Sequence, residues 1–150
     1  MNWETYEQVA HGFAELNKAY FRLHSVIRNP KLTGKQTGTT WSVDLAGHRQ
    51  EDDGLVLVEC KWRDNARVKQ IEMAGLVYVM WDTGARGGIY VTTVGFQRGA
   101  ARIAEAHGIR MVNLKSGDSE DTYSGDVIRG ANHDYFEQNL RVHMRPRIPK

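Results

Sequence analysis

Three charged residues lie in two apolar segments of this chain, and their types suit the cleavage of a phosphodiester bond. Asp44 lies within residues 41–46, and Glu59 and Lys61 lie near the end of residues 55–62. Side chains in a strand alternate between its two faces, so Glu59 and Lys61 project to the same side. Charged groups at the end of a hydrophobic strand are costly to bury unless they meet each other, a metal or a substrate. A carboxylate from the neighbouring segment would complete a site for a hard divalent cation.

Hydrolysis of a phosphodiester needs an attacking hydroxide, stabilisation of the charge on phosphorus and protonation of the leaving oxygen. A bound Mg²⁺ assists the first two by acidifying water and polarising the phosphoryl group. Because Mg²⁺ prefers oxygen ligands and keeps several waters, the carboxylates of Asp44 and Glu59 and the carbonyl of Cys60 would suffice as protein ligands. Lys61 would orient or deprotonate the nucleophile and counter the developing charge. These residue types therefore predict nuclease-like chemistry.

The Glu-x-Lys spacing is a weak signal by itself, because charged residues two apart occur on many exposed strands. The four residues before Glu59 are all apolar, which indicates a strand buried on both faces. The side chain of Cys60 points away from Glu59 and is expected to pack in the core. Spacing alone leaves both interpretations of the motif open, an exposed strand or a catalytic one.

Length and composition predict one soluble domain. The chain has 150 residues, a formal net charge of +2 and a single cysteine, Cys60, which suits a reducing compartment. No apolar run approaches the roughly 20 residues that cross a bilayer, and the first residues do not resemble a signal peptide. We therefore expect a cytoplasmic protein with no membrane contact. The last ten residues carry four basic side chains and no acid, which suits either a phosphate backbone or a solvated terminus.

The elements that would position these residues follow from hydrophobic periodicity. Apolar residues at spacings of three and four predict helices at about residues 3–23, 66–81 and 95–107. Asp64 or Asn65 would cap the second helix, and Gly108 would end the third. Apolar and β-branched runs predict strands at residues 24–32, 41–46, 55–62, 88–93 and 109–114.

The connections complete the prediction of the fold. Residues 52–54 form an acidic turn with a glycine, which predicts a hairpin between the second and third strands. Residues 115–130 are predicted to be a loop, and residues 135–144 a further short element. The order of elements predicts an α/β domain with a mixed central β-sheet flanked by helices, antiparallel at the front and parallel at the back.

The chain resembles the PD-(D/E)xK nuclease superfamily, in its Mrr-like restriction endonuclease branch. The resemblance rests first on Asp44, on the Glu-Cys-Lys motif at residues 59–61 and on the helix and strand that follow. Residues 6–9 resemble the aromatic and acidic pair of the family's first helix. Residues 88–104 resemble the family's Gly-Ile-aromatic-Val-Thr-Thr strand and the Gly-Ala pair after it. The resemblance spans roughly residues 5–114.

This resemblance implies a restriction-endonuclease-like core that cleaves DNA through Asp44, Glu59 and Lys61. It also implies a divalent metal, Mg²⁺, for which Mn²⁺ can substitute. It also implies that Glu7 of the first helix reaches toward the metal or its water. Gln70, early on the helix after the motif, matches a polar residue that family members direct at the site. A solvated helix glutamine is the alternative for Gln70.

Three basic residues follow the catalytic strand: Arg63, Arg67 and Lys69. They could contact a DNA backbone, since such contacts come largely from Arg and Lys. An ordinary polar helix start is the alternative.

Residues 1–114 are expected to form the nuclease core, and residues 115–150 a C-terminal extension of the same domain that could contact DNA or a second subunit. One active site cuts one strand, so double-strand cleavage would require a homodimer. A Holliday-junction resolvase-like nuclease is an alternative, because such enzymes share this fold and site. A non-cleaving nucleic-acid-binding module is a second alternative, against which the intact Asp44, Glu59 and Lys61 argue.

Overall fold

A seven-stranded mixed β-sheet organises the molecule, and its strands lie side by side in the order in which they occur along the chain. The computed structural model describes residues 10–12, 14–15, 18–61, 66–116, 123–129 and 135–142, with side chains up to residue 114. The strands of this sheet are β1 (Leu23–Arg28), β4 (Leu45–Arg49), β5 (Leu55–Lys61), β6 (Gly87–Thr92), β7 (Arg110–Ser116), β8 (Tyr123–Arg129) and β9 (Tyr135–Val142). A separate two-stranded sheet pairs β2 (Lys31–Thr33) with β3 (Thr40–Ser42).

Strand directions follow the predicted arrangement. The strand β4 pairs antiparallel with β1 and β5, whereas β5, β6 and β7 run parallel. The two crossovers between the parallel strands contain the helices α2 (Gln70–Thr83) and α3 (Arg98–Ala106). The short helix α1 (Lys18–Phe21) precedes β1, and residues 10–12, 14 and 15 are also helical. The predicted mixed sheet, with an antiparallel front and a parallel back, is therefore confirmed.

Hydrophobic side chains fill both faces of the sheet. On one face Val56 and Val58 of β5 pack with Ala10 and Ala14 of the first helical region. On the other face Leu57 packs in the cluster formed by α2 and α3, which contains Met73, Leu76, Ala100 and Ala104. The predicted burial of β5 on both faces is confirmed. No helix within the described ranges is long and apolar enough to cross a membrane.

Two predicted strands are interrupted where the sequence indicated continuous runs. Residues 24–32 divide into β1 and β2, because Asn29 adopts a left-handed conformation (φ +46°) just before Pro30. Residues 41–46 divide into β3 and β4, so that Val43 and Asp44 lie at the junction between the two sheets. Both predictions of a single strand were wrong. The pattern of apolar residues does not reveal where a strand ends and the chain begins to pair with a different strand.

The helix after the motif strand begins at Gln70, about four residues later than predicted. Its start is delayed because Val68 is fully buried and pairs with Phe96 in an isolated parallel bridge. The Val68 N–H donates to Gly95 O at 2.9 Å, and Gln97 N–H donates to Val68 O at 2.9 Å. The predicted capping residues Asp64 and Asn65 lie outside the described residues.

The third helix ends as predicted, whereas the region after it differs from the prediction. α3 ends before Gly108, whose φ of +65° suits the predicted glycine stop. The predicted loop at residues 115–130 was wrong, because β7 continues to Ser116 and β8 lies within that range. β8 and β9 add two antiparallel strands to the far side of β7. Polar residues are compatible with such strands, which is why their composition resembled that of a loop.

Candidate active site

The end of β5 presents Glu59 and Lys61 on the face of the sheet that α2 and α3 cover. Alternation along the strand puts both residues on the side of Leu57, which packs against those helices. The intervening Cys60 is buried in the opposite cluster with Val58, as predicted. A carboxylate and an ammonium group therefore follow a fully apolar strand at its carboxyl end.

Asp44 reaches β5 from the junction between the two sheets. Its backbone carbonyl accepts a hydrogen bond from Asn29 N–H at 2.8 Å, which fixes the chain at that point. Its carboxylate oxygen Oδ2 accepts a hydrogen bond from the backbone N–H of Cys60 at 2.8 Å. The antiparallel register of β4 with β5, in which Leu45 pairs with Val58, brings the Asp44 side chain beside Glu59. The predicted meeting of these two carboxyl groups is thus present in the structure.

The two carboxyl groups interact strongly in this position. Burial is the largest cause that raises the pKa of Glu59 to about 8, followed by the negative charge of Asp44 and a hydrogen bond between the two side chains. Lys61 opposes this rise to a smaller extent. At neutral pH the Glu59 carboxyl is therefore largely protonated and shares its proton with Asp44. Two carboxylates kept together in this way can exchange that proton for a cation.

Lys61 forms an ion pair with Glu72, on the first turn of α2. Both side chains are about four-fifths buried. Glu72 Oε2 also accepts a hydrogen bond from the backbone N–H of Lys69 at 3.0 Å, which caps the helix start. Glu72 was not among the residues predicted from the sequence. In a capping box, the residue that precedes the helix is followed three positions later by a Glu or Gln. The signal is hidden here because the first of these positions is Lys69 and not the usual Ser or Thr.

The other predicted site residues divide into described and undescribed positions. Glu7 and Arg63 lie outside the described residues. Arg67 and Lys69 are exposed just before α2. Gln70 is also exposed, and its side chain packs against Gly99 on α3: a Cβ added at Gly99 would lie 2.0 Å from Gln70 Oε1. Gly99 therefore has the role of admitting the Gln70 side chain.

The protein ligands available to a metal are few. Within the described residues no three side chains of His, Cys, Asp or Glu converge on one point. The carboxylates of Asp44 and Glu59 thus form a pair of oxygen ligands. Such a pair suits Mg²⁺, which binds through one or two carboxylates and keeps water in its other positions. The residues present therefore fit a hard divalent cation.

A polar row continues from Lys61 across the sheet. In the parallel register Lys61 aligns with Thr92 on β6, and Thr92 aligns with Asn113 on β7. Thr92 is fully buried, and the buried Oδ1 of Asn113 has no hydrogen-bond partner among the described residues. Asn113 was not singled out from the sequence, because one amide in an apolar strand carries no spacing signal. Its unsatisfied oxygen lies at the same end of the strands as the carboxyl pair.

Asp82, at the end of α2, holds the hairpin that leads to Asp44. This buried carboxylate accepts hydrogen bonds from the backbone N–H of Gln36 at 3.0 Å and of Thr37 at 2.9 Å. Thr37 Oγ1 donates to it at 2.5 Å and Trp41 Nε1 donates to it at 2.7 Å. These hydrogen bonds outweigh the effect of burial and lower the pKa of Asp82 to about 2. Asp82 is therefore ionised at neutral pH and anchors the loop between β2 and β3.

A known protein family has the fold described above. The family model Mrr_cat, described as "Restriction endonuclease", matches residues 1–117. The chain belongs to this restriction endonuclease family, and its mixed sheet with flanking helices is the restriction-endonuclease-like fold. No curated protein matches the chain.

Two solved structures are similar to this chain. The first, "Crystal Structure of Protein of Unknown Function AF1548", has a TM-score of 0.58 and 18% sequence identity over 70% of this chain. The chain covers 56% of that structure, so it spans just over half of its length. The second, "Structure of EndoMS-dsDNA2 complex", has a TM-score of 0.41 and 18% identity over 71% of this chain and 45% of that one. The first likeness supports the fold, and the second is too distant to support more.

Proposed function

We propose that this chain is a divalent-metal-dependent DNA endonuclease that hydrolyses phosphodiester bonds. The observation that carries the proposal is the meeting of the Asp44 and Glu59 carboxyl groups beside Lys61, at the open end of a buried strand. Such a pair is destabilising without a ligand, because at neutral pH Glu59 must keep a proton that it would release in water, or else place a second negative charge beside Asp44. A cation that replaces the shared proton would remove this penalty.

Each residue has a chemical task in this proposal. Asp44 and Glu59, with the carbonyl of Cys60, would hold Mg²⁺, or Mn²⁺ in its place, and Glu7 is a further candidate ligand. The metal supplies an acidified water and polarises the phosphoryl group. Lys61 orients the attacking water and offsets negative charge on the phosphate oxygens. Its ion pair with Glu72 keeps the ammonium in position until a phosphate competes for it.

The substrate contacts belong to the same edge of the molecule. Arg67 and Lys69 are exposed between β5 and α2, close in sequence to the end of the catalytic strand. With Arg63 they would bind the phosphate backbone, and Gln70 is a candidate for a polar contact with DNA or water. Because one site cuts one strand, cleavage of both strands requires a homodimer. The single cysteine suits a reducing compartment, and the proposal therefore includes action in the cytoplasm.

Cleavage of supercoiled plasmid and of a synthetic four-way junction tests the proposal. Wild-type protein with Mg²⁺ or Mn²⁺ should cut, and the same protein with EDTA should not. Lys61→Ala should lower the cleavage rate at least about 100-fold, since a group that stabilises developing charge contributes about this much. The matched control is Lys31→Ala, which removes an exposed lysine of β2 and should cut like wild type. Equal cutting by Lys61→Ala would contradict the assigned role.

Two further outcomes separate the alternatives. Preference for the four-way junction over linear duplex would favour a Holliday-junction resolvase-like nuclease. DNA binding without cleavage under any metal would favour a non-cleaving module. Metal binding has its own readout: Mn²⁺ should raise the melting temperature of the wild type and not that of Asp44→Asn.

A further inference from the structure

A cavity of about 320 Å³ lies at the end of the sheet opposite to the carboxyl pair. Its apolar wall contains Phe21 of α1, Val56 at the start of β5 and Ile89 of β6. The backbone of Gly87 and Gly88 forms part of the same lining. This volume is in the range of natural small-molecule sites.

Four arginines surround this cavity: Arg22, Arg49, Arg86 and Arg110. Glu51 is the acidic member of the lining. Four positive charges against one negative charge give the lining a net charge of about +3, and counting the neighbouring Asp52, which is bound to Arg49, gives about +2. The cavity is therefore strongly electropositive, although the whole chain carries only +2.

The four arginines come from four different parts of the fold. Arg22 joins α1 to β1, Arg49 ends β4, Arg86 precedes β6 and Arg110 begins β7. Arginines that serve only to keep a surface solvated would have no reason to meet at one cavity. Because the parallel strands β5, β6 and β7 all begin at this edge, the topology itself brings these side chains together.

Two of the arginines are held in place by neighbouring groups. Arg49 Nε donates to Asp52 Oδ1 at 3.0 Å, and its NH2 group donates to the other oxygen of the same carboxylate. The Arg110 guanidinium carbon lies 5.5 Å from the centre of the Tyr20 ring, and its NH1 group lies 3.4 Å from Tyr20 Oη. Arg49 also lies 3.6 Å from Glu51, so two carboxylates already balance its charge. Arg110, which is fixed against Tyr20, loses less side-chain entropy when an anion binds.

The Arg22 backbone adopts a left-handed conformation, with φ of +55°, which is unusual for a residue other than glycine. Its carbonyl accepts a hydrogen bond from Gln50 N–H at 2.8 Å, which ties the start of β1 to the end of β4. This conformation turns the chain between α1 and β1 and puts the arginine at the cavity. Backbone strain that persists next to a pocket is a known mark of a functional position.

We propose that this cavity binds the phosphate group of a nucleotide, as a second anion site separate from the catalytic edge. Guanidinium groups bind phosphate through paired hydrogen bonds, which a single lysine ammonium cannot form. Phe21, with the small exposed parts of Val56 and Ile89, would contact a sugar or a base, while the arginines take the phosphate. The same chemistry is offered by a free mononucleotide and by the terminal phosphate of a DNA strand.

The separation from the carboxyl pair makes the site independent of cleavage. Val56 lines the cavity and Lys61 ends the same strand five residues later, a distance of about 17 Å along an extended chain. One phosphate cannot contact both. Binding at the cavity therefore does not rest on the nuclease assignment, and it can be measured in EDTA, where no cleavage occurs.

Calorimetric titration tests the proposal at low ionic strength in EDTA. The probes are inorganic phosphate, dTMP, dTTP and a 12-nucleotide single strand with and without its 5′ phosphate. The variants are Arg86→Gln and Arg110→Gln, separately and together, beside Arg102→Gln, which removes an exposed arginine of α3 outside the cavity. Each cavity variant should weaken binding of the phosphorylated probes at least about tenfold, whereas Arg102→Gln should leave it unchanged.

The arms distinguish the two sources of phosphate. If dTTP binds more tightly than the oligonucleotide, the ligand is a free nucleotide. If the oligonucleotide binds only when it carries its 5′ phosphate, the ligand is a strand end. Arg86→Lys with Arg110→Lys keeps the charge but not the paired hydrogen bonds, and should retain weak binding if the protein is folded. No binding by wild type, or equal weakening by Arg102→Gln, would overturn the proposal.

Discussion

At the residue scale, the carboxyl pair determines how the molecule responds to pH. The pKa of Glu59 is raised to about 8, chiefly by burial and then by Asp44. In the unfolded chain the same group would ionise near its ordinary value of 4.5. Below that value the native and unfolded states both hold the proton, and the pair costs nothing. As pH rises toward 8 the unfolded chain gains stability by ionising and the native chain does not.

We therefore predict that the unfolding free energy of the metal-free protein falls between about pH 4.5 and pH 8. The part due to Glu59 should be on the order of 2–4 kcal/mol, because each pKa unit corresponds to about 1.4 kcal/mol. Urea unfolding in EDTA at pH 5, 6, 7 and 8 measures it, and Glu59→Gln is the comparison. The difference between wild type and variant should grow with pH; a constant difference would show that the Glu59 carboxyl is not perturbed.

Glu72 gives a second prediction at this scale. Glu72→Gln removes the charge that pairs with Lys61 but leaves an amide oxygen that can still accept from Lys69 N–H. We expect cleavage to fall about 10- to 100-fold, because a mispositioned ammonium stabilises less of the charge that develops on phosphate. The melting temperature should fall by only a few degrees. Plasmid nicking rates and thermal unfolding measure the two effects, and an unchanged rate would mean that the ion pair serves only the helix.

At the element scale, the β2–β3 hairpin depends on one carboxylate of another element. Asp82 at the end of α2 accepts four hydrogen bonds from the hairpin loop and Trp41. Gly34 is required beside it, because an added Cβ would lie 2.0 Å from Asp82 Oδ2. The lowered pKa of Asp82 means that this anchor contributes stability above its unfolded pKa of about 3.8, which is lost as pH falls toward 2.

We predict that Asp82→Asn lowers the melting temperature by at least about 5 °C at pH 7, since the new amide places a donor among donors and removes a charged acceptor. Asp53→Asn is the matched control: Asp53 is exposed at the β4–β5 turn, and its φ of +59° suits asparagine. Thermal unfolding by circular dichroism compares the two. Equal melting temperatures for both variants would contradict the anchoring role of Asp82.

The elements also explain what the sequence could and could not predict. Alternation with period two puts Glu59 and Lys61 on one face and Cys60 on the other, so their geometry follows from the strand alone. The meeting of Asp44 and Glu59 required only a hairpin, which the acidic turn at residues 52–54 indicates. Glu72 and Asp82 could not be found this way, because their partners lie in other elements. Their positions depend on the start of α2 and on its packing against the hairpin.

At the scale of the whole molecule, the last two strands shield a buried strand from solvent. In β7, Met111, Val112 and Leu114 are almost fully buried, and β8 pairs with this strand over six residues. Without β8, the backbone donors and acceptors of β7 on that side would be unpaired at an apolar edge. Exposed edges of this kind promote association between chains.

We predict that a chain ending at residue 116 is less soluble than the full chain and forms oligomers that depend on concentration. Size-exclusion chromatography with light scattering at several concentrations measures this. A matched chain ending at residue 142, just after β9, should behave like the full chain. If the shorter chain were monomeric and equally soluble, the contribution of β8 and β9 to the domain would be small.

The position of Asp44 at the junction of two sheets has a consequence for heating. Glu59 belongs to the seven-stranded sheet, whereas Asp44 lies between β3, which pairs only with β2, and β4 of the main sheet. Units with few pairing partners open in fluctuations that leave the rest of a protein folded. Release of the small hairpin would leave Asp44 held only from the β4 side and by the Cys60 N–H, so its position beside Glu59 would loosen while the main sheet survived. Such a molecule would lose activity on warming well before it melts and would regain it on cooling, so the small sheet would set the upper temperature of function.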